Sequence, residues 1–298
     1  MKLEYQDSSK KDWFLVTWDL TDKCNYRCSY CPEYLNNGTI GHPDFETTKQ
    51  FVDKLKELLP NKTICYRFSG GEPTTWKHFI DLVKYIKSKN DYVSFLSNGS
   101  RKVSYYTEIS DYTDGMILSY HPEYSDVNHF IEISKVMKSP VAVNLMLLPE
   151  NFNQTCDLAE HLYINSNLAI WPKIVLDKVH MRNQVISYTS EQLDYIKDWP
   201  YFRKLDDSKI HRGELLLDGT IVSANDLILK GLNKHNGWTC YSGIDQINVS
   251  ISGEIYRADC QVGGSLGTIK DFTLPTEPQI CTKNECTCLS DIYIRKHD

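Results

Sequence analysis

Three cysteines fall within eight residues, in Cys24-Asn-Tyr-Arg-Cys28-Ser-Tyr-Cys31, directly after the apolar run Trp13–Leu20. Three thiolates on a loop that leaves a strand can converge on one face of a cubane iron-sulfur cluster, and the fourth iron is then without a protein ligand. A structural zinc ion wants four ligands, and a thioredoxin-like pair has no use for the third cysteine. The group therefore asks for a fold that gathers loops at the ends of its strands.

The rest of the sequence predicts such a fold. Five further runs rich in β-branched and aromatic residues follow Trp13–Leu20: Thr63–Phe68, Tyr92–Leu96, Gly115–Tyr120, Val141–Leu148 and Leu168–Leu176. They alternate with helical patterns near 46–59, 76–88, 103–110, 125–138 and 152–165, the signature of successive βα units and a parallel sheet. Pro172 in the last run cannot donate to a ladder and weakens that strand. Thr189, with Gln192 three residues on, announces a further helix over 190–203. Six strands predict an α/β fold, a partial (β/α)6 TIM-like barrel over 12–209, open rather than closed with eight strands. Residues 1–11 read as a polar N-terminal arm. After about residue 210 come paired short strands: Gly213–Leu217 with Thr220–Ser223 around Asp218-Gly219, and Gln246–Ile251 with Glu254–Arg257 around Ser252-Gly253. These predict β-hairpins. Cys240, Cys260, Cys281, Cys286 and Cys288 lie in this last third, so 210–298 reads as a small cysteine-rich module that holds metal.

A net charge of −6 with interspersed signs leaves no basic stripe, which disfavours nucleic acid as a partner. No uninterrupted apolar stretch has the length of a membrane span, and the first residues lack the apolar core of a signal peptide, so a cytoplasmic protein is expected. In a reducing compartment ten cysteines point to metal or cluster ligation rather than disulfides. Cys65 and Cys156, isolated from the two groups, read as small apolar core residues.

A second motif, Ser69-Gly70-Gly71-Glu72-Pro73, ends the second predicted strand. Adjacent glycines let backbone approach a ligand without Cβ obstruction, and a carboxylate beside them can accept hydrogen bonds from an ammonium group. Taken alone, the same residues fit a tight strand-to-helix turn. Ser97-Asn98-Gly99 ends the third strand and Ser119 the fourth. All fall at the C-terminal ends of strands, where barrel enzymes build their sites.

The cysteine spacing, with Tyr30 before the last cysteine, and the Gly-Gly-Glu-Pro turn together resemble the radical S-adenosylmethionine (SAM) superfamily. The resemblance implies a [4Fe-4S] cluster on Cys24, Cys28 and Cys31 whose open iron is chelated by SAM. One electron, from a reductant such as flavodoxin or ferredoxin, then breaks a carbon-sulfur bond to give a 5′-deoxyadenosyl radical that abstracts hydrogen from a substrate. It further implies that Gly70, Gly71, Glu72 and Pro73 hold the methionyl end, and that Tyr30, Ser97, Asn98 and Ser119 line the SAM site. The later cysteines, two flanking the hairpin at Gly253, resemble the auxiliary-cluster modules called twitch and SPASM. SPASM domains carry seven cysteines and this region five, which suits one auxiliary [4Fe-4S] cluster on four of them. Cys240, Cys260 and Cys281 are the firmer ligands, and Cys286 and Cys288 compete for the fourth place. A structural zinc ion there stays open, since four thiolates satisfy it too.

His121, followed by Pro122 and Glu123, is either a loop residue bonded locally or a group that touches substrate or moves a proton. The substrate class expected is a peptide or protein side chain, or a small molecule such as a sugar or cyclitol. Two other classes compete: a non-catalytic iron-sulfur electron carrier and a structural zinc-binding interaction protein. An electron carrier has no need of the Gly-Gly-Glu-Pro turn, and a zinc module would need a fourth ligand near Cys31.

Overall fold

The computed structural model describes residues 2–6, 12–177, 184–201, 203, 214–288 and 290–298. Six βα-type strands carry the first two thirds: β2 (Trp13–Thr21), β3 (Thr63–Gly70), β4 (Tyr92–Ser97), β5 (Gly115–Tyr120), β6 (Val141–Leu147) and β7 (Ala169–Ile174), preceded by β1 (Leu3–Gln6). The helices between them are α1 (Phe45–Leu58), α2 (Phe79–Ser88), α3 (Val103–Ile109), α4 (Val127–Val136) and α5 (Phe152–Asn165). β2 to β7 pair in sequence order and all in parallel. Parallel neighbours need a crossover, and each intervening helix supplies one.

Alternation along the strands decides which face the helices cover. Trp18 meets Phe51 of α1 edge-on at 5.0 Å, Phe68 meets Phe79 of α2 at 5.6 Å, and Tyr120 meets Phe130 of α4 at 5.9 Å. These rings are buried and belong to one apolar core. The intervening residues, among them Thr17, Asp19, Arg67 and Ser69, take the opposite, inner face of the open barrel. Pro172 is accommodated because β7 lies at the edge of the sheet, where a missing donor costs no ladder bond.

The remaining elements are β8 (Leu176–Asp177), β9 (Gln184–Val185), α6 (Ser190–Lys197), β10 (Glu214–Leu217), β11 (Thr220–Val222), α7 (Ala224–Leu229), β12 (Thr239–Cys240), β13 (Gln246–Val249), β14 (Glu254–Tyr256), β15 (Ser265–Thr268), β16 (Asp271–Phe272), β17 (Gln279–Ile280) and β18 (Lys296–His297). Thr189 and Gln192 form the expected capping box on α6, but that helix stops at Lys197, short of the predicted 203. Of the predicted hairpin strands, Gly213 lies outside the described residues; β10 and β11 turn at Asp218 and Gly219, both at positive φ (49° and 80°).

Two pairings depart from the sequence reading. Leu3–Gln6 is not a free arm: it pairs antiparallel with β10, and Leu3 and Tyr5 pack on the small core of Leu215, Leu227 and Ile292. A period-two apolar pattern of two residues was too short to stand out from polar surroundings. β13, read only as half of a hairpin, also runs parallel to β2, so the inner sheet has seven parallel strands and continues into β14, β15 and β16.

Candidate cluster and cofactor site

The loop carrying the first cysteines is fixed before it reaches them. Asp22, wholly buried, accepts hydrogen bonds from the backbone N–H groups of Ile40 (2.8 Å) and Gly41 (2.7 Å), and Thr21 Oγ1 donates to Gly41 O at 2.8 Å. From the other side Gly71 N–H donates to Thr21 O at 2.6 Å and Glu72 N–H to Lys23 O at 2.8 Å. A Cβ on Gly70 would come within 2.5 Å of Thr21 O, and one on Gly71 would overlap Lys23 O and lie 2.9 Å from Leu35 O. The paired glycines thus let the end of β3 press against the residues that lead into Cys24.

Cys28 is buried and Cys24 and Cys31 half-buried. Cys31 N–H donates to Cys28 O at 3.0 Å, closing the turn between the last two thiols. Burial pushes the Cys28 thiol up to about 12, with Cys31, Glu123 and Cys24 adding repulsion, and burial likewise raises Cys24. Thiols in such surroundings ionise when a cation takes the proton's place, so the donor set fits iron. A single tetrahedral zinc would hold its sulfurs about 3.8 Å apart. Among the described residues the sulfurs of Cys24, Cys28 and Cys31 do not all lie within 4.8 Å of one another.

Glu72 is the hub of the neighbouring strand ends. Only 1% exposed, its carboxylate accepts Thr74 N–H (3.1 Å), Thr74 Oγ1 (2.6 Å) and Ser97 Oγ (3.0 Å) on one oxygen, and Asn98 N–H (2.6 Å) on the other. Burial raises its pKa, and the four hydrogen bonds oppose the shift. Pro73, buried, opens the one-turn helix Pro73–Thr75 that Glu72 caps. Asn98 closes the circuit, its Nδ2 reaching Cys24 Sγ at 3.8 Å and Asn25 Oδ1 at 3.0 Å. Ser119 is buried on β5 beside Asn144 of β6.

The segment after β5 clasps the cysteine loop, a role that sequence reasoning missed apart from pointing to His121. Tyr30 OH lies 2.6 Å from His121 Nδ1 with the rings stacked at 6.0 Å. Burial depresses the His121 pKa to about 4, so the ring is neutral. The Glu123 carboxylate accepts Ser29 N–H at 3.0 Å and a very short bond from Ser29 Oγ. Tyr124 OH donates to Arg27 O at 3.1 Å and its ring stacks on Tyr26 at 4.8 Å. The sequence signal was the His121-Pro-Glu-Tyr124 run directly after a strand; its hydrogen-bond partners in the cysteine loop are 91 to 97 residues away and left no local trace.

The later cysteines come together from four segments. Cys240 on β12 is flanked in register by Gln279 of β17 and Lys296 of β18. Cys260 follows the hairpin and donates its N–H to Asp291 Oδ2 at 3.3 Å. Cys281 N–H donates to Trp238 O, and Cys286 and Asn233 exchange hydrogen bonds of 2.8 and 2.9 Å. Burial raises Cys260 to about 11, with Asp291, Cys240 and Cys281 adding charge. It also raises Cys288 to about 12, and Cys286 further still. None of the ten cysteines forms a disulfide.

Residues 18–162 match the family model described as the Radical SAM superfamily. The mycofactocin maturase MftC of Mycolicibacterium smegmatis is 33% identical over 105 residues, 34% of this chain and 26% of the relative. A GTP 3',8-cyclase of Haemophilus influenzae is 30% identical over 80 residues, 27% of this chain and 24% of the relative. The chain thus spans about a quarter of the length of these relatives. A GTP 3',8-cyclase of Synechocystis sp. aligns over 86% of this chain and 71% of its own length at 22% identity. Among solved structures, native anSMEcpe with bound AdoMet shares the fold at a TM-score of 0.57 and 19% identity, covering 88% of this chain and 79% of the other. Streptococcus suis SuiB bound to precursor peptide SuiA shares it at 0.54 and 12% identity, over 94% of this chain and 64% of the other. Residues 18–162, which carry the cysteine loop and the Gly-Gly-Glu-Pro turn at one end of the parallel sheet, are a radical SAM domain.

Proposed function

We propose that this protein cleaves SAM reductively and uses the resulting 5′-deoxyadenosyl radical to abstract hydrogen from a substrate. The observation that carries the reading is the circuit Cys24–Asn98–Glu72, in which one residue links the cluster loop to the buried carboxylate of the Gly-Gly-Glu-Pro turn. A [4Fe-4S] cluster on Cys24, Cys28 and Cys31, supplied with an electron by a carrier such as flavodoxin or ferredoxin, provides the reducing power. The chain's own residues hold and orient. Glu72 keeps the ends of β3 and β4 in register, Tyr30 and His121 fix the aromatic face of the loop, and Gly70, Gly71, Pro73, Ser97 and Ser119 shape the remaining wall for SAM.

In this reading the C-terminal thiols bind one auxiliary [4Fe-4S] cluster. Cys240, Cys260 and Cys281 are three ligands; Cys286 lies near both Cys260 and Cys288, and either of Cys286 and Cys288 is left for the fourth. Five cysteines in one module, one more than a tetrahedral zinc ion takes, support this reading. The substrate is a peptide or protein side chain, or a sugar or cyclitol. A molecule with hydrogen-bonding groups suits the inner face, where Ser69 Oγ donates to Asp19 at 2.7 Å and Asn248 Nδ2 to Thr17 Oγ1 at 3.2 Å.

Anaerobic purification, reconstitution and counting of iron and sulfide test this directly, in wild type and in a Cys24→Ala/Cys28→Ala/Cys31→Ala variant. The expected result is about eight irons falling to about four, with 5′-deoxyadenosine formed by wild type alone. About four falling to none removes the auxiliary cluster, and iron without SAM cleavage by wild type favours an electron carrier.

A further inference from the structure

Beside two of the C-terminal thiols, Cys240 and Cys286, lies a buried cation. Lys296, 4% exposed, stands directly opposite Cys240 in the antiparallel pair of β18 and β12. Directly opposed residues of such a pair project from the same face, with Cβ atoms about 5 Å apart. Its Nζ donates to Asp291 O (2.6 Å), Ile292 O (3.2 Å) and Ile294 O (2.9 Å), which uses all three protons of an ammonium group. Among the described residues Lys296 makes no ion pair. The buried Asp291 carboxylate is turned to other partners, accepting Gln246 Nε2 at 3.2 Å and Cys260 N–H at 3.3 Å.

Burying an ammonium group is costly unless negative charge accompanies it. A four-iron cluster on four thiolates carries net negative charge and gains one more on reduction. We propose that Lys296 is the fixed counter-charge of the auxiliary cluster and holds its reduction potential up. The inference rests on the auxiliary cluster proposed above. With every proton committed to a carbonyl, Lys296 has none left for sulfur and acts through its field alone. Cys286, from another segment, is also within reach of that field, as is His235, whose ring the nearby charge helps keep neutral. A positive charge stabilises the reduced cluster more than the oxidised one, because the reduced cluster carries the larger negative charge.

The test is an EPR-monitored redox titration of full-length protein in the Cys24→Ala/Cys28→Ala/Cys31→Ala background, where only the auxiliary cluster remains, with Lys296→Met and Lys296→Arg added separately. Lys296→Met should raise the oxidised-to-reduced ratio at the parental midpoint about tenfold, a downward shift of about 59 mV for a one-electron couple. Lys296→Arg should stay near the parental midpoint. If Lys296→Met loses the cluster while Lys296→Arg keeps it, the charge is needed for assembly and the proposal stands. An unchanged midpoint in Lys296→Met overturns it. So does equal loss of iron in both variants, which marks Lys296 as a purely structural cap of the last turn. If the parent itself holds no iron, it is the auxiliary cluster that fails, before Lys296 is put to the test.

Discussion

The backbone N–H of Asn98 donates to the Glu72 carboxylate at 2.6 Å while the Asn98 side chain points to Cys24 Sγ at 3.8 Å. One residue at the end of β4 therefore senses both the position of the cluster loop and the state of a carboxylate buried at the end of β3. Replacing Glu72 by Gln swaps an acceptor for a donor on a side chain surrounded by four donors. Leaving buried donors unmet costs about 1–3 kcal/mol. Glu72→Gln should lower unfolding stability in urea by about 2–3 kcal/mol and weaken SAM binding, measured by calorimetry, whereas Ser97→Ala, which removes one donor, should cost about 1 kcal/mol.

Gly71→Ala places a methyl group against the carbonyls of Lys23 and Leu35, both backbone and neither able to swing away. The strand end and the cysteine loop must part. The far-ultraviolet circular dichroism should match wild type, because the helices and the body of the sheet are untouched, while iron content after reconstitution should fall by more than half.

The Glu123–Ser29 clasp can be opened from either side. Glu123→Ala and Ser29→Ala should each speed iron loss to a chelator several-fold, and the double variant should be little worse than either single, since the two groups act through one contact. Additive effects would show that each residue acts through other partners.

His235 gives the C-terminal module a pH dependence. Burial, reinforced by Lys296 and opposed by the Asn233 backbone, lowers its pKa to about 4 from an ordinary 6.5. Between those values the unfolded chain binds a proton that the folded one refuses, so stability is full above about pH 6.5 and falls as the pH drops toward 4. The full window corresponds to about 3 kcal/mol. Urea unfolding at pH 7 and pH 5 should show a loss in wild type that His235→Phe largely removes; equal losses in both proteins would assign the dependence to other groups.

The local grammar of this chain was written in its sequence. The six strands, the helices between them, the capping box at Thr189 and both hairpin turns were readable because each depends on periodicity, turn chemistry or caps within a few residues. The cysteine spacing and the Gly-Gly-Glu-Pro turn were equally legible, because chemistry demands those residue types close together. Tertiary structure alone decided what meets across long separations. It brought Leu3–Gln6 to β10 across more than 200 residues, and set β13 beside β2 as a seventh parallel strand. It turned the paired glycines toward the backbone of Thr21 and Lys23, and brought Glu123 to Ser29. It also set Lys296 opposite Cys240. Such partners are chosen by packing and by the need of buried polar groups for one another, and neither leaves a periodic mark on the residues that satisfy it.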